Sequence, residues 1–295
     1  MAQKAQMVLK AWLTRCPPEQ RIALERFLPE AERQKIAELP PFEAEITAEQ
    51  CSQGRPLNRV HWSWFLPTLK SYAPRDQKLF LSALDPHSAE QLKATLNIRT
   101  SLDSVTEMGK AYLQMNLLRS LTDSHTEILP IELFPQSPLN VLVSLGKKDL
   151  IRLINFLSLY DLCAELRQIV NTKTLKKIYS LLSREHQATL QTISAQMLET
   201  HSVLETHPFP RMGLDRTWDG EEESLHVLLH RKGLTRLGVA LSGQNPDLIW
   251  TICHHLDIGR GGALLKLCGK EPVHGISEIA IQQVIDSVHL LTAKG

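Results

Sequence analysis

The chain has 295 residues, 43% of them hydrophobic, which is enough to build more than one compact core. Its 33 Lys and Arg residues are balanced by 32 Asp and Glu residues, so the net charge of +1 argues against a general attraction to nucleic acid or to an anionic membrane. The five cysteines are odd in number and lack paired spacing, which argues against a disulfide framework. No stretch approaches the roughly eighteen apolar residues of a membrane-spanning helix. We therefore expect a cytoplasmic protein that recognises its partners by shape.

Apolar residues recur at the helical spacing along nearly the whole chain, and no alternating run typical of a β-strand is present. The pattern predicts an all-α, multi-domain protein of stacked short helices. Residues 1–42 form the predicted N-terminal helical segment. Its helices are expected near residues 4–14, 18–27 and 30–39. Pro40 and Pro41 then begin a mixed stretch, to Pro56, that is typical of a linker.

A middle helical domain is predicted for residues 59–206. Its expected helices lie near residues 61–72, 75–84, 88–96, 105–121, 139–145, 148–157, 160–169, 175–182 and 186–204. The joints between these helices are short, which favours a stacked, solenoid-like arrangement. Residues 207–213 contain two prolines and a glycine and are typical of a second linker.

A C-terminal helical domain is predicted for residues 219–295. It begins with an acidic run, residues 221–223, where carboxylates complement the positive end of a helix dipole. A leucine-rich helix then ends at a turn that contains Gly243 and Pro246. Asp247 is placed to cap the helix that follows, so the sequence predicts helices stacked at short turns.

Two stretches of the chain resemble the flagellar rotor switch protein FliG. Residues 74–86, which end in a Leu-Asp-Pro turn, and the helix from Ser88 are similar to the repeat of the FliG middle domain. Residues 238–291, which include Arg260, are similar to the FliG C-terminal domain. The resemblance implies FliG-like, armadillo-like helical folds for the middle and C-terminal domains.

The differences from FliG narrow the implied function. The flagellar proteins present a Glu-His-Pro-Gln-Arg type surface to a ring partner, and only Pro74 of that pattern remains here, followed by Arg75. They also carry paired aspartates on the helix after the arginine matched by Arg260, whereas residues 261–269 here are largely apolar. An electrostatic torque mechanism needs such a row of charges. The resemblance therefore implies a role other than torque generation.

These features are similar to the SctK family of type III secretion adaptors, including a chlamydial member of that group. The resemblance implies a non-enzymatic structural adaptor of the cytoplasmic secretion platform, which links the membrane-ring basal body to the cytoplasmic ring. Its partners would be ring and basal-body proteins at the inner face of the bacterial inner membrane, bound through helix-groove contacts. No cofactor, metal, nucleic acid, membrane insertion or small-molecule substrate is expected.

The candidate protein-binding residues combine matched positions with an aromatic cluster. They are Trp64, Pro74, Arg75, Arg260 and Leu264. Pro74, Arg75 and Arg260 follow from the resemblance, and Leu264 lies on the apolar helix after Arg260.

Trp64 belongs to the densest aromatic cluster of the chain, residues 61–65. On a helix, Trp62 and Phe65 share a face, and Trp64 lies apart from them. Two interpretations therefore stay open for Trp64. It is either a core residue or an exposed anchor of the kind that dominates protein interfaces.

A glycine-rich stretch, residues 259–262, invites comparison with a phosphate-binding loop. The Walker loop and the dinucleotide fingerprint both need a preceding strand and a different glycine spacing. Close packing of helices at Gly261 and Gly262 is the favoured interpretation, because glycine lets two backbones approach.

An enzyme stays open as the alternative function. The side chains that zinc prefers occur at Cys253, His254, His255, Cys268 and His274. Consecutive helical residues point about 100° apart, which favours a core position for Cys253 and partly exposed histidines. The alternative is a metal-dependent or small-ligand-binding enzyme with a site near His254, His255 and Arg260. No recognised catalytic motif occurs, so no catalytic residue is assigned.

Overall fold

The computed structural model describes residues 2–39, 56–102, 104–122, 128–129, 131–199, 209–271 and 275–292. Every regular element in these ranges is helical, so the prediction of an all-α fold is confirmed for them. None of the helices described there combines the length and the apolar composition needed to cross a membrane. The linker expected at residues 40–56 lies almost entirely outside the described residues, as do residues 207 and 208 of the second expected linker.

The chain folds into two compact units that do not follow the three expected segments. The first unit comprises residues 1–136 and 245–257, and the second comprises residues 137–244 and 258–295. Residues 245–257 were expected within a C-terminal domain, but they belong to the first unit. The reason is apolar burial, since Leu248 and Ile252 are no more than 1% exposed.

Among the residues that the structure describes, the first unit has seven α-helices before residue 137 and one after residue 244. They are α1 (Ala2–Arg15), α2 (Pro18–Glu25), α3 (Glu30–Glu38), α4 (Leu66–Lys70), α5 (Pro74–Ser82), α6 (Pro86–Leu96), α7 (Glu107–Leu121) and α13 (Pro246–His255). Short 3₁₀ helices lie at Pro56–Arg59, Trp62–Trp64 and Ile131–Leu133.

The helix expected at residues 61–72 is interrupted. The side chain of His61 accepts a hydrogen bond from the Ser63 amide and caps the 3₁₀ turn Trp62–Trp64. Pro67 has no amide hydrogen to donate to the Ser63 carbonyl, so a continuous α-helix cannot form across this point. The short helix α4 begins at Leu66 instead.

The core of the first unit lies where α4 to α7 meet the 3₁₀ segments. Phe65, Leu69, Leu81, Leu92 and Leu117 are buried there, each at most 1% exposed. Trp250 of α13 packs against the same cluster. This packing explains why a segment distant in sequence belongs to the first unit.

The start of α13 differs in detail from the expectation. Asn245, rather than Asp247, caps the helix, because its side-chain oxygen accepts the Asp247 amide at 2.7 Å. The Asp247 carboxylate is 2% exposed and accepts the Leu129 amide at 3.4 Å within the same unit. Asparagine is as good an N-cap as aspartate, so the helix boundary itself is little affected.

The second unit contains the remaining helices. They are α8 (Lys147–Leu166), α9 (Thr172–Leu181), α10 (Arg184–Glu199), α11 (Leu214–Thr217), α12 (Glu222–Leu241), α14 (Ile258–Cys268) and α15 (Ile276–Thr292), with a 3₁₀ helix at Pro138–Ser144. The two helices expected at residues 148–157 and 160–169 are a single helix, α8. No glycine or proline separates them, and α8 is buried on most of its surface.

Helix α12 is the centre of the second unit and packs against α8, α14 and α15. At Gly233 the backbone of α12 approaches α8 so closely that an added Cβ would overlap the Ile154 carbonyl oxygen. At Gly238 an added Cβ would lie 2.5 Å from the Leu267 Cβ of α14. Gly233 therefore lets α12 pack on the backbone of α8, and Gly238 makes room for the Leu267 side chain of α14.

The expected close approach at Gly262 is wrong, because an added Cβ there would meet nothing within 4 Å among the described residues. Gly261 is buried, but Gly262 faces open space. The sequence pattern predicts that a glycine lies in a helix, but whether a second helix packs closely against it depends on the tertiary structure.

A buried ion pair joins α12 to α8. The Arg236 guanidinium donates to both carboxylate oxygens of Asp161, at 3.1 Å and 2.7 Å, and both residues are at most 5% exposed. The centroid of the Phe209 ring lies 3.8 Å from the guanidinium carbon, and the Gln283 side-chain oxygen accepts a further hydrogen bond from Arg236. Such a network fixes the register of α12 on α8, since neither charge can be left alone in the core.

Candidate protein-binding groove

One face of the second unit carries a groove of ≈ 1210 Å³ between α8, α12 and α14. Helix α12 contributes adjacent pairs of residues at four successive turns, so one continuous face of this helix forms a wall. The lining residues of α12 are Glu222, Glu223, His226, Val227, His230, Arg231, Leu234 and Thr235. The other walls comprise Ile151 and Asn155 of α8, then Arg260, Ala263, Lys266 and Leu267 of α14, and Lys270 just after it.

Two contacts give the relative direction of α12 and α14. Arg260 Nε donates to His230 Nε2 at 3.0 Å near the start of α14. Near its end, Leu267 lies against Gly238. The chain therefore advances in the same direction along both helices, and the two helices end close together. Ser242 confirms this, because its hydroxyl donates to the Lys270 carbonyl at 2.8 Å.

The floor of the groove is apolar and partly open. Leu234 is 7% exposed and forms its deepest side chain, while Ile151 and Leu267 are half-buried. Val227 is 62% exposed and Ala263 is also exposed. An occupant of this groove would therefore remove apolar surface from water, which stabilises a complex by about 25 cal/mol per Å².

Charged side chains are segregated along the groove. Glu222 and Glu223 lie at the end where α12 begins. Lys266 and Lys270 lie at the opposite end, beside the last turn of α12. Taking 1.5 Å per helical residue from Glu222 to the last turn of α12, the two ends are about 25 Å apart. One end of the groove is therefore acidic and the other is basic.

A hydrogen-bonded chain fixes Arg260 in the middle of the groove. Because Arg260 Nε can only donate, His230 Nε2 must be the acceptor, and the proton of the neutral ring then lies on Nδ1. Nδ1 faces the Asn155 side-chain oxygen at 3.1 Å and donates to it. Both ring nitrogens are thus engaged, so His230 holds Arg260 in place and is poorly suited to act as a general base.

Of the sequence-predicted binding residues, Arg260 lies in the groove and Leu264 does not. Leu264 is 0% exposed and packs in the core of the second unit, so it offers no surface to a partner in this structure. The apolar face of α14 is used for internal packing. Ala263, one residue earlier on the helix, is the side chain that faces the groove.

Pro74 and Arg75 are exposed on the first unit, at the start of α5. Pro74 occupies the first turn of the helix, where its missing amide hydrogen costs nothing. Both side chains are therefore accessible at the surface of the first unit.

Trp64 is half-buried in the first unit, and its ring packs on His254 with 4.1 Å between ring centroids. Its indole Nε1 donates to the Leu256 carbonyl at 2.8 Å. The geometry therefore favours the packed interpretation over that of an exposed anchor, because the polar edge of the ring is already satisfied internally.

His254 is enclosed by aromatic rings rather than by metal ligands. Trp250 also stacks on this ring with 4.0 Å between ring centroids, and His254 Nδ1 donates to the Trp250 carbonyl at 2.8 Å. Burial lowers the pKa of His254 to about 4, because the charged form would lose its hydration. The ring is therefore neutral at physiological pH.

The residue types of the alternative metal site do not form a cluster in the described part of the chain. No group of three or more His, Cys, Asp or Glu side chains is arranged there to hold a metal ion. Cys253 and His254 belong to the first unit, Cys268 belongs to the second, and His274 lies outside the described residues.

The groove-lining face of α12 was missed by sequence reasoning. A signal exists in the exposed Val227, which lies on the same helical face as Leu234 and is flanked by charged residues. That face reads as an ordinary solvated surface until α8 and α14 are placed beside it.

Comparison with known proteins assigns no family to the chain. No protein-family model matches it, and neither curated proteins nor solved structures give a significant match. The geometry of the groove therefore carries the functional argument.

Proposed function

We propose that this protein is a non-enzymatic structural adaptor that holds an amphipathic helix of a partner protein in the groove between α8, α12 and α14. The observation that carries the proposal is the size and composition of this groove. Its volume of ≈ 1210 Å³ exceeds the range of about 300–1,000 Å³ typical of small-molecule sites. Its walls are helices with an apolar floor, which is the usual form of a helix-binding groove.

A helix fits the dimensions of the groove. The lining residues of α12 run from Glu222 to Thr235, which corresponds to about 20 Å of helix. A partner helix of about four turns would cover this length. Leucine-like side chains at helical spacing on the partner would then meet Val227, Leu234 and Ala263.

Charge complementarity specifies the flanks of that helix. The groove contains four cationic side chains, Arg231, Arg260, Lys266 and Lys270, against two carboxylates. A partner with more acidic than basic residues beside its apolar stripe is therefore favoured over a basic one. The occupant we propose is an acidic amphipathic helix.

The resemblance to FliG and SctK supplies the assembly in which such an adaptor would act. In this proposal the chain has FliG-like helical domains and works in the cytoplasmic platform of a type III secretion apparatus, beside the inner membrane. An adaptor needs two binding surfaces. The groove of the second unit is one, and the exposed Pro74 and Arg75 of the first unit are the proposed contact for another component.

The enzyme alternative has weaker support. His254 is enclosed by Trp64 and Trp250, and His230 is engaged through both ring nitrogens. Neither histidine is placed to transfer a proton to a bound substrate. The structural features of the groove favour binding over chemistry.

A pairwise binding assay tests the proposal. Full-length protein would be immobilised and offered each purified component of a secretion platform and its membrane ring. We expect one component to bind the wild type and to be lost with Ala263→Trp, which fills the groove from an exposed position. Gln282→Trp is the matched control, since Gln282 is exposed on α15 and does not line the groove.

The two parts of the proposal fail separately in this assay. If no platform component binds the wild type, the assignment to a secretion platform is wrong. If a component binds Ala263→Trp as tightly as the wild type, the groove is not the docking site.

A further inference from the structure

We infer that the bound helix lies antiparallel to α12 and α14, with its first turn beside Lys266 and Lys270 and its last turn beside Glu222 and Glu223. This inference rests on the proposed function, and it adds the direction and the charge order of the occupant. It follows from the segregation of charge in the groove and from the parallel arrangement of its two long walls.

The first argument concerns the charges at the two ends of the groove. Helices are stabilised by carboxylates in the first turn and by lysine or arginine in the last turn, because these charges complement the helix dipole. A helix of this usual pattern meets opposite charges at both ends only if its first turn faces Lys266 and Lys270. In the parallel direction, its acidic first turn would face Glu222 and Glu223, which is repulsive.

The second argument concerns the dipoles of the walls. Helices α12 and α14 advance in the same direction and end close together, as the contacts at His230 and Leu267 establish. Their dipoles therefore add, with both negative ends near Lys270. A third helix beside them is favoured when its own dipole points the opposite way, because each partial charge then lies near one of opposite sign.

The middle of the groove agrees with this arrangement. Arg231 and Arg260 lie between the two ends, and His230 fixes the position of Arg260. A carboxylate on the flank of the partner, about halfway along the helix, would meet these two cations. The occupant is thus acidic over its first two-thirds and basic only in its last turn.

Two synthetic peptides of about eighteen residues, roughly 27 Å as a helix, provide the probes. Both carry the same leucine stripe and the same overall composition. The forward peptide has glutamates in its first turn and lysines in its last turn, and the reversed peptide has these exchanged. Fluorescence anisotropy at low ionic strength, where surface charges are least screened, gives the ratio of the two dissociation constants.

The protein variants separate charge recognition from the differing helicity of the peptides. The fully inverted variant combines Glu222→Lys, Glu223→Lys, Lys266→Glu and Lys270→Glu. Helicity affects each peptide equally in both proteins, so it cancels when the two ratios are compared. We expect the preference for the forward peptide to fall by about tenfold or more in the inverted variant, since several rim pairs change sign together.

A variant with fewer substitutions controls for the possibility that the fully inverted variant does not fold. Lysine in the first turn of α12 is unfavourable for that helix, so the double variant Lys266→Glu/Lys270→Glu is measured beside the fully inverted one. Circular dichroism checks that each variant retains its helix content. The double variant should lose most of the preference for the forward peptide.

The outcomes distinguish the orientation from the docking site. Suppose that both peptides bind the wild type, that neither binds Ala263→Trp, and that the ratio of their dissociation constants is the same in every charge variant. The proposed orientation is then wrong, but the groove is still the docking site. If neither peptide binds the wild type, or if Ala263→Trp binds them unchanged, the proposed function fails and the orientation with it.

Discussion

Replacing Gly233 by alanine is the most direct test of how α12 packs against α8. An added Cβ at this position would overlap the carbonyl oxygen of Ile154 and would lie 2.7 Å from its carbonyl carbon. The obstructing atoms belong to the backbone, so no rotation of a side chain can relieve the overlap. Helix α12 has to move away from α8, or the helix has to deform.

Gly262 provides the matched control for this substitution. It also lies inside a helix of the second unit, α14, but an added Cβ there would meet nothing within 4 Å among the described residues. Alanine is intrinsically more favourable than glycine in a helix by about 1 kcal/mol. Gly262→Ala should therefore raise the free energy of unfolding by up to about 1 kcal/mol.

The same intrinsic gain applies at Gly233, but the steric overlap outweighs it. Overpacking of a well-packed core costs about 1–3 kcal/mol and sometimes more, and a backbone obstacle belongs at the upper end of that range. We expect Gly233→Ala to lower the free energy of unfolding by about 2 kcal/mol. The two alanine variants should then differ by about 3 kcal/mol, which is a large fraction of the stability of an ordinary domain.

Urea denaturation followed by far-ultraviolet circular dichroism measures this difference. Because the chain has two compact units, hydrogen exchange followed by mass spectrometry should accompany it and assign the loss to peptides of the second unit. If Gly233→Ala proves as stable as Gly262→Ala, the close crossing of α8 and α12 is incorrect. The groove that these helices share with α14 would then need a different geometry.

Three further perturbations test two buried groups and one helix cap. The pKa of His254 is lowered to about 4 in the folded protein from an ordinary value of 6.5. The neutral ring therefore contributes its full stabilisation above pH 6.5. About 3 kcal/mol of the free energy of unfolding is lost as the pH falls from 6.5 to 4. His254→Phe should remove that part of the pH dependence in urea titrations monitored by tryptophan fluorescence; an unchanged slope would contradict it. Arg236→Met should cost about 3–5 kcal/mol by leaving Asp161 buried without its partner, and the double variant Arg236→Met/Asp161→Leu should be more stable than the single one. Asp85→Ala should cost about 1 kcal/mol in thermal unfolding, because the Asp85 side chain accepts the Ser88 amide at 3.0 Å at the start of α6.

Much of the secondary structure could be predicted from local signals. The acidic start of α12, the Leu-Asp-Pro turn before α6 and the turn before α13 all lie where the sequence places them. These features depend on residues within one turn of each other, so the sequence alone contains the information. Errors arose where a local signal was absent, as in α8, where two predicted helices are one.

The division into units depends on contacts that are distant in sequence. Residues 245–257 are apolar and helical, but nothing in their own pattern says which core receives them. Trp64 illustrates the problem, since its packing on His254 and its hydrogen bond to Leu256 join positions about 190 residues apart. Hydrophobic periodicity predicts which face of a helix is buried, but it does not predict which other helix covers that face.

The same reasoning explains why the sequence selected Arg260 and Leu264 together, while the structure separates their roles. Both lie on α14, four residues apart, and an isolated helix would present them on the same face. Helix α14 is short and packs on α12, so its apolar side is buried in the core and Leu264 has no contact with solvent. Arg260 remains at the edge because its long side chain can bury its stem while its guanidinium reaches His230. A binding surface on this chain is thus formed by what helix packing leaves exposed. The charges and the apolar floor of the groove come from three helices. Tests of the function should therefore alter the groove as a whole and not one residue alone.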